Sequence, residues 1–174
     1  MNEIEIRLSE AIEAEHIAAV LRESFAAYEP LYTPQGFAAT TPTTEQVFDR
    51  FKEGPVWVAV IGGQIVGTVS AVLHADHLYI RSMAVLPMAR GKRVGDLLLE
   101  EIERFAALSN SSCLVLNTTP FLIPAIRLYQ RHGFRRTEEG AQDLFGTPLF
   151  TMQKTIGLVP AHVDQRNEGF RRKN

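Results

Sequence analysis

The chain has 174 residues, 45% apolar and 22% charged, and its 18 basic and 20 acidic side chains leave a formal charge of −2. That composition supports one compact domain around a packed core and takes the support from collagen-like, low-complexity and disordered readings. Near-neutral charge leaves no footprint for nucleic acid, and the longest apolar runs, such as VWVAVI at 56–61, fall far short of the roughly 20 residues that cross a bilayer.

The first segment, EIEIRL at 3–8, alternates as a half-buried strand does, and Ile17, Val20, Leu21, Phe25 and Tyr28 then recur at helical spacing. The start MNEIEIRLSE lacks a basic region followed by an apolar one, so a cytoplasmic protein is expected. Residues 29–42 hold three prolines and no period, which predicts a loop. Thr43 and Gln46 form a capping box for a short helix ending near Gly54. PVWVAVI and QIVGTVSAVL flank Gly62 and Gly63, a strong hairpin signal. HLYIRSMAV at 77–85 is the next strand, stopped by Pro87. A helix from near Arg93 to Asn110 is expected to bury Leu97, Leu98, Ile102, Phe105 and Ala106. Strand CLVLNT at 113–118, a helix from about Pro124 to His132 and strands FRRTE and PLFTMQKTI complete the pattern. The fold class is α/β (α+β), with a mixed, mostly antiparallel sheet flanked by helices on both faces. Residues 1–156 are expected to form the domain and 157–174 a tail or docking arm.

The chemistry concentrates between residues 83 and 102. A strand ends at a proline, and a turn carrying Arg90, Gly91, Lys92, Arg93 and Gly95 feeds the first turn of a helix whose leading amides have no internal partner. Glycines, cations and the helix dipole together suit a phosphate or pyrophosphate; a solvated basic turn is the alternative. Neither GxxxxGK[ST] nor GxGxxG is present, so P-loop and dinucleotide fingerprints are missing.

Val85, Pro87, Arg90, Gly91 and Gly95 match the pattern V-x-P-x-x-R-G-x-G-x-G or A, and AIRLYQRHGF at 125–134 matches A-I-x-L-Y-x-x-x-G-F. In these two motifs the chain resembles the GNAT superfamily of N-acetyltransferases over roughly residues 4–156. The resemblance implies a single GNAT fold whose strands splay at a cleft for acetyl-CoA, with an amine as acceptor. It implies that Met83, Ala84 and Val85 pair with the pantetheine arm, and that Arg90, Gly91, Lys92, Arg93, Val94, Gly95 and Asp96 cradle the pyrophosphate. Tyr129 matches the general acid that protonates the departing thiolate. Arg93 replaces the signature's middle glycine, and an arginine tolerates positive φ poorly, so the turn is expected to avoid that conformation. Leu122 stands where an asparagine is common, and Asn117 is a candidate substitute contact to the cofactor, or a loop residue bonding local backbone.

Many relatives carry Glu where this chain has Tyr79. Strand alternation puts Tyr79, Arg81 and Met83 on one face, which the resemblance points toward the acetyl group. Arg81 could bind an acceptor carboxylate, although a structural salt bridge is the commoner fate of a strand arginine. Glu29, beside Tyr28 and Tyr32, is a candidate amine contact or base. The HxDH group of His74, Asp76 and His77 makes a weak metal case and none is expected, His132 suits a helix end, and Cys113 reads as an inert core thiol. The expected activity is acetyl transfer to the primary amine of a small molecule. Acetylation of protein N-termini or lysines, and a non-catalytic CoA-binding sensor, are the alternatives. Strand 148–156 and the tail could form a homodimer interface, with no nucleic-acid or membrane partner expected.

Overall fold

A computed structural model describes residues 3–157, so all but the first residue of the expected tail lies outside the described residues. One sheet has seven strands: β1 (Ile4–Leu8), β2 (Val56–Ile61), β3 (Gln64–Leu73), β4 (His77–Val85), β5 (Cys113–Thr118), β6 (Arg135–Thr137) and β9 (Phe150–Thr155). Their spatial order is β1-β2-β3-β4-β5-β9-β6, and β4 with β5 is the one parallel pair. β7 (Asp143–Leu144) and β8 (Thr147–Pro148) form a separate hairpin. The helices are α1 (Ala14–Phe25), α2 (Pro34–Thr40), α3 (Thr44–Arg50), α4 (Val94–Leu108) and α5 (Ile123–Arg131). Among the described residues no helix is long and apolar enough to cross a membrane.

The Gly62–Gly63 link carries φ of 57° and 81°, the left-handed values that a two-residue hairpin turn needs. Because β4 and β5 run parallel, a crossover must join them, and α4 supplies it. Val94, Leu98, Leu99, Ile102 and Ala106 are the buried residues of α4, with Leu99 rather than Leu97 fully covered. Alternate residues of β3 face opposite layers. Gly67 backs onto Val94 and Leu98 of α4, while Thr68 and Ser70 share a small cavity with Ile17 and Leu21 of α1 and Val47 of α3. Helices therefore cover both faces of the sheet.

The expected loop over 29–42 contains α2. Thr33 caps it by accepting the Gly36 amide at 3.0 Å, and Pro34 fills its first turn. A β-carbon on Gly36 would lie 2.4 Å from Thr147 Oγ1, so this glycine lets β8 pack against α2. That contact joins residues more than a hundred apart in the chain and has no local signal. The last predicted strand, 148–156, likewise divides: Pro148 pairs in the hairpin strand Thr147–Pro148, and β9 begins at Phe150.

Candidate active site

Pairing of β4 with β5 runs from His77↔Cys113 to Ile80↔Leu116 and stops, although β4 continues to Val85 and β5 to Thr118. Beyond that point the strands part around a cleft of about 620 Å³. Met83, Ala84 and Val85 line it, and their edge toward β5 has no strand beside it, while Ala84 and Val85 pair with β3 on the other edge.

A β-bulge shapes the same strand. Ser70 pairs with Arg81 and Thr68 with Ala84, so Ser82 and Met83 together stand opposite Val69, with Ser82 at φ 54°. The extra residue breaks the alternation that would put Tyr79, Arg81 and Met83 on one face. Tyr79 pairs with Val72 and Arg81 with Ser70, which places both on the α1 layer; the Met83 methyl reaches instead to 3.7 Å of a β-carbon built on Gly95 of α4.

At the start of α4, Arg93 is the residue before the helix and sits in the left-handed region at φ 65°, ψ 13°. The expectation that an arginine would escape this conformation is therefore corrected: the turn keeps the backbone a glycine would adopt, and the side chain, 72% exposed, points to Glu100 at 3.4 Å. Gly91 is also left-handed, at φ 75°, with open space where a β-carbon would be. Intrahelical bonding starts with Leu97, whose amide donates to Arg93 at 3.1 Å. The amides of Val94, Gly95 and Asp96 have no acceptor among the described residues. Arg90 is a tether rather than a free cation, donating to the Ser24 carbonyl at 2.9 Å and the Val85 carbonyl at 3.3 Å. Gly95 serves packing, since a β-carbon there would meet Leu128 of α5 at 2.8 Å. Asp96 turns its side chain to Arg131 at 3.0 Å and His132 at 3.1 Å. Burial opposes its charge, but these bonds outweigh that and hold its pKa below the ordinary value. Lys92 and Asp96 lie off the cleft lining; Arg90, Gly91, Arg93, Val94 and Gly95 are on it.

Tyr129 lines the cleft from α5, 7% exposed and packed on Phe134 at 5.9 Å between ring centroids. Burial, reinforced by the neighbouring Tyr32, raises its pKa above the usual 10. Asn117 donates to the Tyr79 hydroxyl at 3.2 Å and accepts from Thr151 at 2.7 Å, so both ends of its amide are engaged within the protein.

The opposite end is walled by aromatic rings. Tyr32 meets Phe121 edge-on at 4.9 Å and Phe37 at 5.9 Å, and Tyr28 stacks on Phe121 at 6.3 Å. The β7–β8 hairpin is bound to this wall through Thr33, whose amide donates to Thr147 Oγ1 at 2.9 Å and whose hydroxyl donates to the Phe145 carbonyl at 2.8 Å. Two arginines project here. Arg81 is ion-paired with Glu53, the structural fate that sequence reasoning ranked first. Arg50, which that reasoning missed, donates to Ser82 Oγ and to the Ala39 carbonyl at 3.5 Å. Its position at the end of a short amphipathic helix carries no sign of a site; α3 packing on α1 brings it to the cleft.

Several candidates fall elsewhere. Glu29 is exposed on a 3-10 segment, Ala26–Leu31, and is not on the cleft lining. His77 bonds Asp76 at 2.7 Å and stacks on His74. Among the described residues no three His, Cys, Asp or Glu side chains gather in a metal-binding group. His132 bridges Asp96 and Glu103. Cys113 is half-buried, and burial raises its pKa, as for an inert thiol.

The parallel pair β4–β5 thus parts over a cleft that also holds the unpartnered amides at the start of α4. Residues 18–134 match the acetyltransferase (GNAT) family, and the chain belongs to it. Acetyl-CoA is the cosubstrate of that family, and the open strand edge, the free amides and the cleft volume fit such a molecule. The chain is similar to the N-acetylaspartate synthetases of Mus musculus, 37% identical over 110 residues and 62% of this chain, and Danio rerio, 41% identical over 85 residues and 48% of this chain. The matches span only 36% and 30% of those relatives' own lengths. In fold it is similar to the PaiA N-acetyltransferase of Thermoplasma acidophilum in complex with coenzyme A, with a TM-score of 0.76, 18% identity and coverage of 88% and 99% of the two chains. The YncA structure from Salmonella typhimurium with its cofactor acetyl-CoA gives a TM-score of 0.70, 20% identity and coverage of 88% and 94%.

Proposed function

We propose that this protein transfers the acetyl group of acetyl-CoA to the primary amine of a small molecule by direct attack. One observation carries the reading: Val94 and Gly95, with their free amides at the start of α4, the open edge of β4 and the Tyr129 phenol line a single cleft. When bound, the thioester supplies an electrophilic carbonyl and a thiolate leaving group. The amides of Val94, Gly95 and Asp96, aided by the helix dipole, would hold the diphosphate. Met83, Ala84 and Val85 would hydrogen-bond the pantetheine as an added strand does, and an amide there would donate to the developing oxyanion.

Tyr129 stays protonated at neutral pH because burial raises its pKa. It would therefore hold a proton for the thiolate, whose own basicity rises in the same water-poor cleft. Ring packing and the bound hairpin narrow the acceptor end, which favours a small amine over an extended peptide. The names of the mouse and zebrafish relatives make aspartate the first acceptor to try. The test is release of free CoA from acetyl-CoA across amino acids, polyamines, aromatic amines and a peptide, beside a thermal-shift series with acetyl-CoA, NAD and ATP. Stabilisation by CoA thioesters and turnover of at least one small amine are expected. Stabilisation by nucleotides alone, or no turnover above hydrolysis, would refute the reading.

A further inference from the structure

The cleft as a whole is unbalanced in charge. Five arginines line the cleft (Arg50, Arg81, Arg90, Arg93 and Arg131) against one carboxylate, Asp143, whose Oδ1 accepts the Gly146 amide at 2.9 Å. Three of the five are committed: Arg90 to backbone carbonyls, Arg93 to Glu100 and Arg131 to Asp96. The other two, Arg50 and Arg81, stand together on the α1 side of the bulge. Arg50 has only neutral partners, Ser82 and Ala39, and no carboxylate within ion-pair distance among the described residues. Burial and then the Arg81 charge hold its pKa below the ordinary value, with the Glu53 charge opposing them in part.

Arg81 holds a carboxylate, but a replaceable one. Glu53 is 47% exposed, lies outside the cleft lining and belongs to the short turn after α3. Arg81 itself is 24% exposed, and its Nε is buried without a hydrogen-bond partner. The pair thus uses one edge of the guanidinium and leaves an N–H donor inside the protein unmet, the arrangement expected where a second acceptor completes the set.

We propose that Arg50 and Arg81 form a clamp for an acceptor carrying two carboxylates, one received by Arg50 and the other displacing Glu53 from Arg81. Glu53 then acts as an internal competitor that neutralises Arg81 between turnovers and sets the affinity for the acceptor. The assignment rests on the amine-acetylation reading above and adds the chemical class of the amine. It also fits the aromatic wall: the rings restrict the size of the acceptor, and the arginines select its charge.

Succinate, which has both carboxylates and no amine, tests the clamp without turnover. It is expected to bind the protein saturably in calorimetry. Binding should weaken at least roughly tenfold in Arg50→Gln, as loss of a hydrogen bond to a charged group implies, and tighten in Glu53→Gln. Butyrate, with one carboxylate, should bind far more weakly than succinate. In the acetylation assay the same variants should move KM for dicarboxylic amino acids in those opposite directions while KM for acetyl-CoA stays constant, which a merely destabilised variant would not give. Equal binding of succinate and butyrate, or a Glu53→Gln variant no tighter than the parent, would overturn the proposal. Succinate binding without acetylation of any amine would instead overturn the proposed function and leave the clamp standing.

Discussion

The left-handed Arg93 gives a prediction whose sign is unusual. Consider Arg93→Gly beside Arg93→Ala. Both remove the same side chain and its contact with Glu100 at 3.4 Å, so that loss cancels between them. What differs is the backbone at φ 65°. A non-glycine residue there costs about 1–2 kcal/mol, whereas glycine carries about 0.4–1 kcal/mol of extra unfolded-state entropy. The balance favours Gly over Ala by roughly 0.5–1 kcal/mol, against an ordinary helical position where Ala is better by about 1 kcal/mol. In urea unfolding at an m value of about 2 kcal/mol/M, the Gly variant should have a midpoint about 0.3–0.5 M higher than the Ala variant with m unchanged. An Ala variant as stable as the Gly variant, or more so, would show that the turn does not hold residue 93 left-handed and would refute the reasoning.

Two further outcomes follow from the geometry. Tyr129→Phe removes a hydroxyl for which no hydrogen bond is found among the described residues; kcat should fall about 10²–10⁴-fold, as for a lost general acid, with the melting temperature and the acetyl-CoA KM nearly unchanged. A drop in melting temperature equal to that of a large core truncation would contradict it. The second concerns acid stability. Arg7 donates to Glu13 at 2.7 Å and 3.0 Å, and this bond, with help from Ser9 and the Glu10 amide, lowers the Glu13 pKa from 4.5 to about 2. Because the folded-state value is depressed, the stabilisation is full above pH 4.5 and is lost as the pH falls toward 2. Both side chains are partly exposed, which screens the effect to about 1 kcal/mol. Arg7→Gln should therefore flatten the decline in stability between those pH values by that amount, measured as urea midpoints at pH 6 and pH 3. An unchanged slope would show that Glu13 does not need Arg7 to stay ionised.

Much of the fold was legible because its signals are local. Gly62–Gly63 marked the hairpin, Pro87 the end of β4, and the Thr43–Gln46 box the start of α3. Of the site, the turn over 90–95 and Tyr129 could be read from two motifs, and both line the cleft. Features set by distant contacts could not be read. α2 hides in a proline-rich stretch because its packing partner is Thr147. Arg50 carries no motif, and the bulge at Ser82 leaves no mark in a strand that otherwise alternates.

The amino-acid sequence alone was enough for most of the elements, for the family and for the glycine-containing turn before α4, since propensity, periodicity and capping act over a few residues. Tertiary structure decided which side chains share the end of the cleft away from α4. One extra residue in β4 sends Met83 toward α4 and leaves Tyr79 and Arg81 on the α1 side. The seating of α3 on α1 then brings Arg50 beside Arg81. Charges meet across a cleft according to packing between layers, and no short stretch of chain encodes that distance.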